Sequence, residues 1–388
     1  NKSISKLSNG ISKLANARNI NVINGLASFN SANQLNIIDK QNKTIYLDFD
    51  NCIISTGSRP QVIPNLNKQN PNIIYSTDAL NFNEIPERLL IIGGGYIGLE
   101  LAEVYSAFGS KVTIAEFLPS ILSMADQDLV KILLSTFTNK LENIYTSTEV
   151  TELLPKSKKQ IIATFKNDKI FKDSFNKVLI CIGRKPNTNK LNIEKTGIKL
   201  DNQGFIPVNE KRRTLIPNIY AIGDITGNPM LAHKASYEGK IAAEVIAGKN
   251  VIFDPISIPS VIYTNPEIAW CGTTENELNE QSIEYTKGEF PWIANGRALS
   301  TNTSNGKTKI LCDKKTNQIL GIGIVGYNAG ELINEAMLAL EMGTSIEDLD
   351  LTIHAHPTLS ETLSNAAEII NGTITDLYIP NKQRNNNE

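Results

Sequence analysis

Apolar residues in this chain come in short runs whose spacing changes character along it. Over residues 19–56 they alternate with Asn- and Gly-rich turns, and four β-rich runs (20–23, 35–38, 44–47 and 52–55) predict strands. A polar linker holding Pro60, Pro64 and Pro71 follows. Residues 89–92 then predict a buried strand, a glycine turn comes next, and Ile97, Leu101, Tyr105 and Phe108 share one helical face. Gly109 is placed to end that helix, and residues 111–115 predict the next strand. Residues 177–181 and 216–222 predict two more buried strands, the second leading into a helix that ends before Gly248. After Pro255 and Pro259, short strands near 261–263 and 319–325 precede helices over 331–342 and 358–370. The alternation predicts an α/β protein whose last third is a separate α+β domain. The polar stretch 381–388 is expected to fray.

A chain of 388 residues exceeds one ordinary core and fits two or three domains. With 41% hydrophobic and 20% charged residues it reads as a soluble globular enzyme. A formal net charge of −2 gives no electrostatic case for nucleic acid or an anionic membrane as partner. The most cationic stretch, Lys211-Arg212-Arg213, reads as a solvated turn. No apolar run approaches the ~20 residues a membrane helix needs, and no signal-peptide pattern opens the sequence, so a cytoplasmic location is expected. Because Asn1 is not a Met, the numbered chain is expected to begin inside a longer one. Cys52, Cys181, Cys271 and Cys312 form no CxxC pair and no zinc-like spacing; buried, reduced thiols are expected. With only His233, His354 and His356 available, no metal site is expected.

Gly93, Gly94, Gly95, Tyr96, Ile97 and Gly98 match GxGxxG, after a predicted strand and opening a predicted helix, with Glu116 closing the next strand. That context is the dinucleotide fingerprint. Gly93 permits the tight turn, Gly95 lets the backbone approach a pyrophosphate, and Gly98 lets helix and strand pack closely. Glu116 would accept from the ribose hydroxyls and repel a 2′-phosphate, which favours NAD over NADP. A plain strand–turn–helix is the alternative. Residues 214–224, TLIPNIYAIGD, end a predicted strand on Asp224, where parallel sheets bind ligands; a turn-forming or N-capping Asp is the alternative. Residues 354–361, HAHPTLSE, place a His five residues before Glu361, and Thr358-x-x-Glu361 also reads as a capping box.

Together these segments resemble the flavin disulfide reductases of the glutathione reductase type, and within them the lipoamide dehydrogenases. The runs PSVIYTNPEIAW, FPWIANGRA, NAGELINEAMLALEMG and GTITDL look like the bacterial enzymes, and the resemblance extends from about residue 1 to 380. It implies two dinucleotide-binding, Rossmann-like domains and an α+β dimerisation domain. The FAD domain would be split over residues 1–84 and 208–256 and incomplete at its N-terminus. The NAD domain would be 85–207 and the dimerisation domain 257–388. On the FAD side it implies contacts from Ala27, from Thr56, Gly57 and Ser58 by their backbone, from Asp224 on the ribityl chain, and from Met230, Leu231, Ala232 and His233 beside the isoalloxazine. On the NAD side it adds Leu99, Glu100, Val150 and Gly183 to the glycine loop and Glu116. It implies that His356 is the general acid–base for a dithiol, oriented by Glu361, with His354 in a supporting role.

The reaction implied is the transfer of electrons from dihydrolipoamide to NAD+ through a redox disulfide and FAD. The partners implied are a second copy of the chain, and the lipoyl domains and acyltransferase core of 2-oxo-acid dehydrogenase complexes. The family opens with a GxGxxG for FAD and a C-x4-C disulfide. Neither is in this sequence, where the glycine turn at 93–98 is the only good match. As numbered, the chain is therefore expected to be inactive and to bind FAD weakly. Another NAD(P)H-dependent flavin disulfide or metal-ion reductase would share these folds, as would a noncatalytic NAD-binding remnant. The HPTLSE stretch argues against mercuric reductases, and Glu116 against NADP users.

Overall fold

The computed structural model describes residues 2–66, 70–81 and 84–379. The expected frayed stretch 381–388 lies outside them. The chain divides into two compact units, one of residues 1–59 with 185–254, the other of residues 60–184 with 255–388.

In the larger unit a five-stranded parallel sheet runs in the order Ile73–Tyr75, Lys177–Ile180, Arg88–Ile92, Lys111–Ala115, Asn143–Tyr145. Its central strands are apolar at nearly every position because both faces are covered. Leu89, Ile91, Val112, Ile114 and Leu179 turn to the helices Tyr96–Ala107 and Gln127–Lys140. Leu90, Ile92, Ala115, Val178 and Ile180 turn to an antiparallel meander of Glu149–Ser157, Gln160–Lys166 and Ile170–Phe175. Phe165 and Phe171 stack there at 4.8 Å. The predicted helix ends one residue early: Phe108 is its C-cap and is exposed, and Gly109 follows with φ +96°.

The same unit holds a five-stranded antiparallel sheet, ordered Ser260–Ile262, Glu267–Gly272, Ile319–Gly326, Lys307–Asp313, Tyr285–Pro291. Helices Ala329–Glu341 and Glu361–Asn371 pack on it. Residues 321–326, GIGIVG, also spell GxGxxG, but all three glycines lie inside a strand. A Cβ on Gly321 would sit 2.1 Å from the Thr273 carbonyl oxygen, and one on Gly326 2.3 Å from the Trp292 ring, so these glycines serve packing.

The smaller unit combines an antiparallel sheet (Gly25–Ser31, Gln34–Asp39, Thr44–Asp48) with a parallel pair, Cys52–Ile54 and Ile219–Ala221, and the helix Ala232–Ile246. Here several expectations fail. Residues 20–23 form no strand; the strand begins at Gly25, because pairing with Gln34–Asp39 through a tight turn sets the register. The predicted strand 216–222 shrinks to Ile219–Ala221, since Pro217 and a turn in which Ile219 N–H donates to the Ile216 carbonyl occupy its start. Lys2–Ala17 is a helix that the polar reading of the N-terminal segment missed; Ile4, Leu7, Ile11 and Leu14 form an exposed stripe on it.

Candidate active site

Three groups of functional side chains emerge from these elements. The first is at the carboxyl ends of the parallel strands. Gly93 takes φ +110° directly after Arg88–Ile92, and a Cβ there would lie 2.4 Å from the Cys181 carbonyl oxygen. A Cβ on Gly98 would lie 2.2 Å from the Gly93 carbonyl oxygen, whereas above Gly95 nothing lies within 4 Å. The loop is thus closed on its sheet side and open over Gly95. Gly95 is also the N-cap of Tyr96–Ala107 and has no side chain to bond the first-turn N–H groups. This shape and these donors fit a pyrophosphate.

Glu116 sits across the loop, its Oε2 accepting the Gly94 N–H at 2.5 Å and its Oε1 the Leu118 N–H at 2.7 Å. Gly183 has φ +119° and lies beyond Lys177–Ile180 at the same edge. Tyr96 and Ile97 are half-buried. Leu99 and Val150 bury their side chains in the core. Glu100 Oε1 accepts the Tyr263 N–H at 2.9 Å, and burial raises its pKa against that bond.

The second group belongs to the smaller unit. Ser58 Oγ donates to Asp224 Oδ2 at 2.5 Å, and Gly57 takes φ +66° beside it. Thr56 Oγ1 donates to the Asn187 carbonyl. Both segments leave the carboxyl ends of the parallel pair Cys52–Ile54 and Ile219–Ala221. Met230 and Leu231 lead into the helix Ala232–Ile246, whose N-cap, Leu231, bonds no first-turn N–H by its side chain. A carboxylate close to a helix N-terminus that carries no capping side chain fits the ribityl and pyrimidine end of FAD. His233 is exposed on that first turn. Ala27, which the resemblance sets at the adenosine end of FAD, stands opposite Ile37 in a regular antiparallel strand. Its backbone angle is ordinary, so the absence of a glycine there costs nothing.

Sequence reasoning missed what holds the Asp224 turn. Fully buried Glu238 accepts the Gly223 N–H through Oε2 at 2.6 Å and pairs through Oε1 with Arg212 at 2.8 Å and Lys234 at 3.2 Å. The Lys211–Arg213 run is therefore not a solvated turn. Arg212 (φ +58°) turns inward to Glu238 and over the Phe253 ring, while Arg213 bonds Tyr220. The i, i+4 spacing of Lys234 and Glu238 was the available signal.

The third group is the dyad. His356 Nδ1 lies 2.8 Å from Glu361 Oε1, with the imidazole 78% exposed and Glu361 19%. Glu361 opens the helix, and its Oε2 accepts the Thr358 N–H at 2.6 Å. The reciprocal half of a capping box is not made: the helix N-cap is Ser360, which makes no side-chain cap bond, and Thr358 Oγ1 donates to the Ala355 carbonyl. Glu361 therefore caps and orients at once. Such a pair can accept a proton on Nε2 and stabilise the resulting imidazolium.

All four cysteines are free. Burial pushes Cys52 up to about 11 and Cys181 and Cys271 up to about 12, so these thiols stay protonated at neutral pH. Among the described residues, Asp126, Asp128 and Glu275 form the one carboxylate group with metal-like spacing, and the cation they enclose is the Lys309 ammonium. No helix among the described residues is long and apolar enough to cross a membrane.

The family model for pyridine nucleotide-disulphide oxidoreductases matches residues 2–239, and that for their dimerisation domain matches residues 258–367. A dihydrolipoyl dehydrogenase of Vibrio cholerae is 45% identical over 97% of this chain and 79% of its own length. One from Buchnera aphidicola (subspecies Acyrthosiphon pisum) is 46% identical over 96% and 79%. The solved structure of the HOCl-induced flavoprotein disulfide reductase RclA from Escherichia coli superposes with a TM-score of 0.85 at 26% identity, covering 93% of this chain and 82% of that one.

Proposed function

The chain belongs to the dihydrolipoyl dehydrogenases of the pyridine nucleotide-disulphide oxidoreductase family, and from that premise we propose how its residues share out the reaction. The family uses FAD and NAD, and the reaction is oxidation of dihydrolipoamide to lipoamide with reduction of NAD+ to NADH. FAD, when bound, carries the electron pair between thiols and nicotinamide. The chain's own residues bind, orient and move a proton.

Gly93, Gly95 and Gly98 shape the cradle for the NAD pyrophosphate, with the Tyr96–Ala107 N-terminus donating to it, and Glu116 selects the unphosphorylated ribose. Asp224, held by Ser58, receives the ribityl chain of FAD, with residues 230–233 beside the ring. His356 takes the proton of the dihydrolipoamide thiol on Nε2, and Glu361 stabilises the charge. None of the four cysteines is a reacting thiol. The observation that carries this reading is the 2.8 Å bond between His356 Nδ1 and Glu361, on an imidazole that is otherwise exposed.

The matched dimerisation domain supports a homodimer. Ile353 and Leu351, almost bare beside the dyad, suit a surface that a second copy covers, so that His356 serves the partner's flavin. The finer assignments follow the family: lipoyl domains and the acyltransferase core of 2-oxo-acid dehydrogenase complexes, such as that for pyruvate, as partners, in the cytoplasm. The test is NADH formation by the FAD-loaded enzyme. Turnover with dihydrolipoamide and NAD+ is expected once the family's redox disulfide, which this sequence lacks, is supplied, and none from these 388 residues alone; turnover only with NADPH, or only with another disulfide, would replace the proposal by a different reductase of the same fold.

A further inference from the structure

Two residues before the proposed base, His354 is held far more tightly than His356. Its side chain is 6% exposed. Nδ1 lies 2.8 Å from the Thr352 carbonyl oxygen, and Nε2 lies 2.7 Å from Glu335 Oε1 on the helix Ala329–Glu341. A carbonyl oxygen only accepts, and so does an ionised carboxylate. Both ring nitrogens must therefore carry a proton for both bonds to stand, whereas a neutral imidazole carries one. The geometry is that of an imidazolium.

We infer that His354 is a positioning residue which, as an imidazolium, ties the turn bearing His356 to the helix Ala329–Glu341. The inference rests on the reading of His356 as the base. Its proton stays put during the reaction, while the proton on His356 moves. The charged groups acting on it agree in sign: Glu335 on its helix, and Glu361 and Glu368 on the helix Glu361–Asn371. The Glu335 bond raises the pKa of His354 above its ordinary value, overriding burial, and the Thr352 carbonyl adds to it. A raised value means the tie is complete below the ordinary imidazole range and is released as pH rises through the folded-state pKa. Release costs one ring bond and frees the segment before His356, so the tie bears on the alkaline side of the rate profile.

Glu335 offers the cleaner variant, since it is more exposed than His354 and its amide replacement keeps an acceptor. Glu335→Gln removes the carboxylate that stabilises the imidazolium. The alkaline fall in flavin reduction by dihydrolipoamide is expected to move down by about one pH unit or more, with kcat reduced more than KM is changed. His354→Gln, which cannot hold the charge, is expected to slow reduction about tenfold or more at neutral pH, through loss of placement. With three histidines in this sequence, ring 15N signals of the labelled holoenzyme are assigned by one substitution each. His354 is expected to show both nitrogens protonated at pH 7; a neutral tautomer there overturns the inference, as does a Glu335→Gln profile that superimposes on the wild type. The two readings fail separately. An unimpaired His356→Gln enzyme removes the base, and with it the purpose of the tie. An impaired His356→Gln enzyme beside an unimpaired Glu335→Gln one removes the tie alone.

Discussion

Each oxygen of Glu361 has its own partner, one the His356 ring and the other the Thr358 N–H. An amide in its place keeps one acceptor and loses the charge. Glu361→Gln should therefore slow flavin reduction by less than the ~10²–10⁴-fold that removal of a positioned acid–base group costs, and it should lower thermal stability slightly. A variant that melts earlier but reduces flavin at the full rate would leave Glu361 as a cap alone. Glu116 is likewise doubly bonded, to Gly94 and Leu118, so its carboxylate is fixed before any ribose arrives. Replacing it by a small residue beside an added cation should cost NAD about 1.5–3 kcal/mol and raise the preference for NADP. An unchanged ratio of NAD to NADP affinities would show that it does not reach the ribose. At this scale the sequence was informative where one local pattern forces one geometry, as in the glycine turn and HPTLSE. It was silent where the partner is remote. Nothing near Arg212 announces Glu238, 26 positions on, and nothing near His354 announces Glu335.

Among the elements, the parallel strands at 88–92, 111–115 and 177–180 were legible because burial on both faces leaves unbroken apolar runs. Short pairs such as Ile219–Ala221, and the unsupported helix Lys2–Ala17, were not, because their extent depends on neighbours rather than on period. The least legible feature joins two elements. Lys309, 1% exposed on the strand Lys307–Asp313, reaches Asp126 at 2.6 Å and Asp128 at 2.8 Å at the start of helix Gln127–Lys140, and Glu275 at 2.7 Å. Lys309→Met leaves three carboxylates around an apolar tip and should destabilise the larger unit by about 3–5 kcal/mol. Denaturant unfolding measures it; a change within error would mean the carboxylates find water. Burial opposes the charges of Asp128 and Glu275, but the ammonium groups of Lys309 and Lys307 for the first, and of Lys309 and Lys287 for the second, hold both below the ordinary carboxylate range. Burial likewise opposes the Lys309 charge, and its carboxylates hold it above the ordinary amine range. The carboxylate share of stability is complete above the ordinary carboxylate range and is lost as pH falls through the depressed values. The ammonium share is complete at neutral pH and is lost as pH rises past the raised value. In wild type the melting temperature should fall at both extremes, and Lys309→Met should shrink the alkaline limb to the share that Lys287 keeps. An alkaline limb of wild-type size in the variant would assign it to another group.

For the whole molecule, periodicity predicted α/β units followed by an α+β last third, and the parallel sheet and the later antiparallel sheet with its helices agree with that; the division into nucleotide and flavin parts came from the resemblance. The identity of the reaction did not follow from periodicity. It came from a handful of residues at strand ends and from the kinship with dihydrolipoyl dehydrogenases. In the proposed homodimer His356 serves the partner's flavin, so dilution to monomer should abolish turnover while NAD binding at the glycine loop persists; activity that is independent of dimer dissociation would oppose it. The account as a whole depends on a proton leaving a thiol for His356. Stopped-flow flavin reduction by dihydrolipoamide, comparing wild type with His356→Gln at equal FAD content and equal melting temperature, tests that step. The account predicts a loss on the order of 10²–10⁴-fold with NAD affinity unchanged; reduction of the His356→Gln enzyme at the wild-type rate would contradict it.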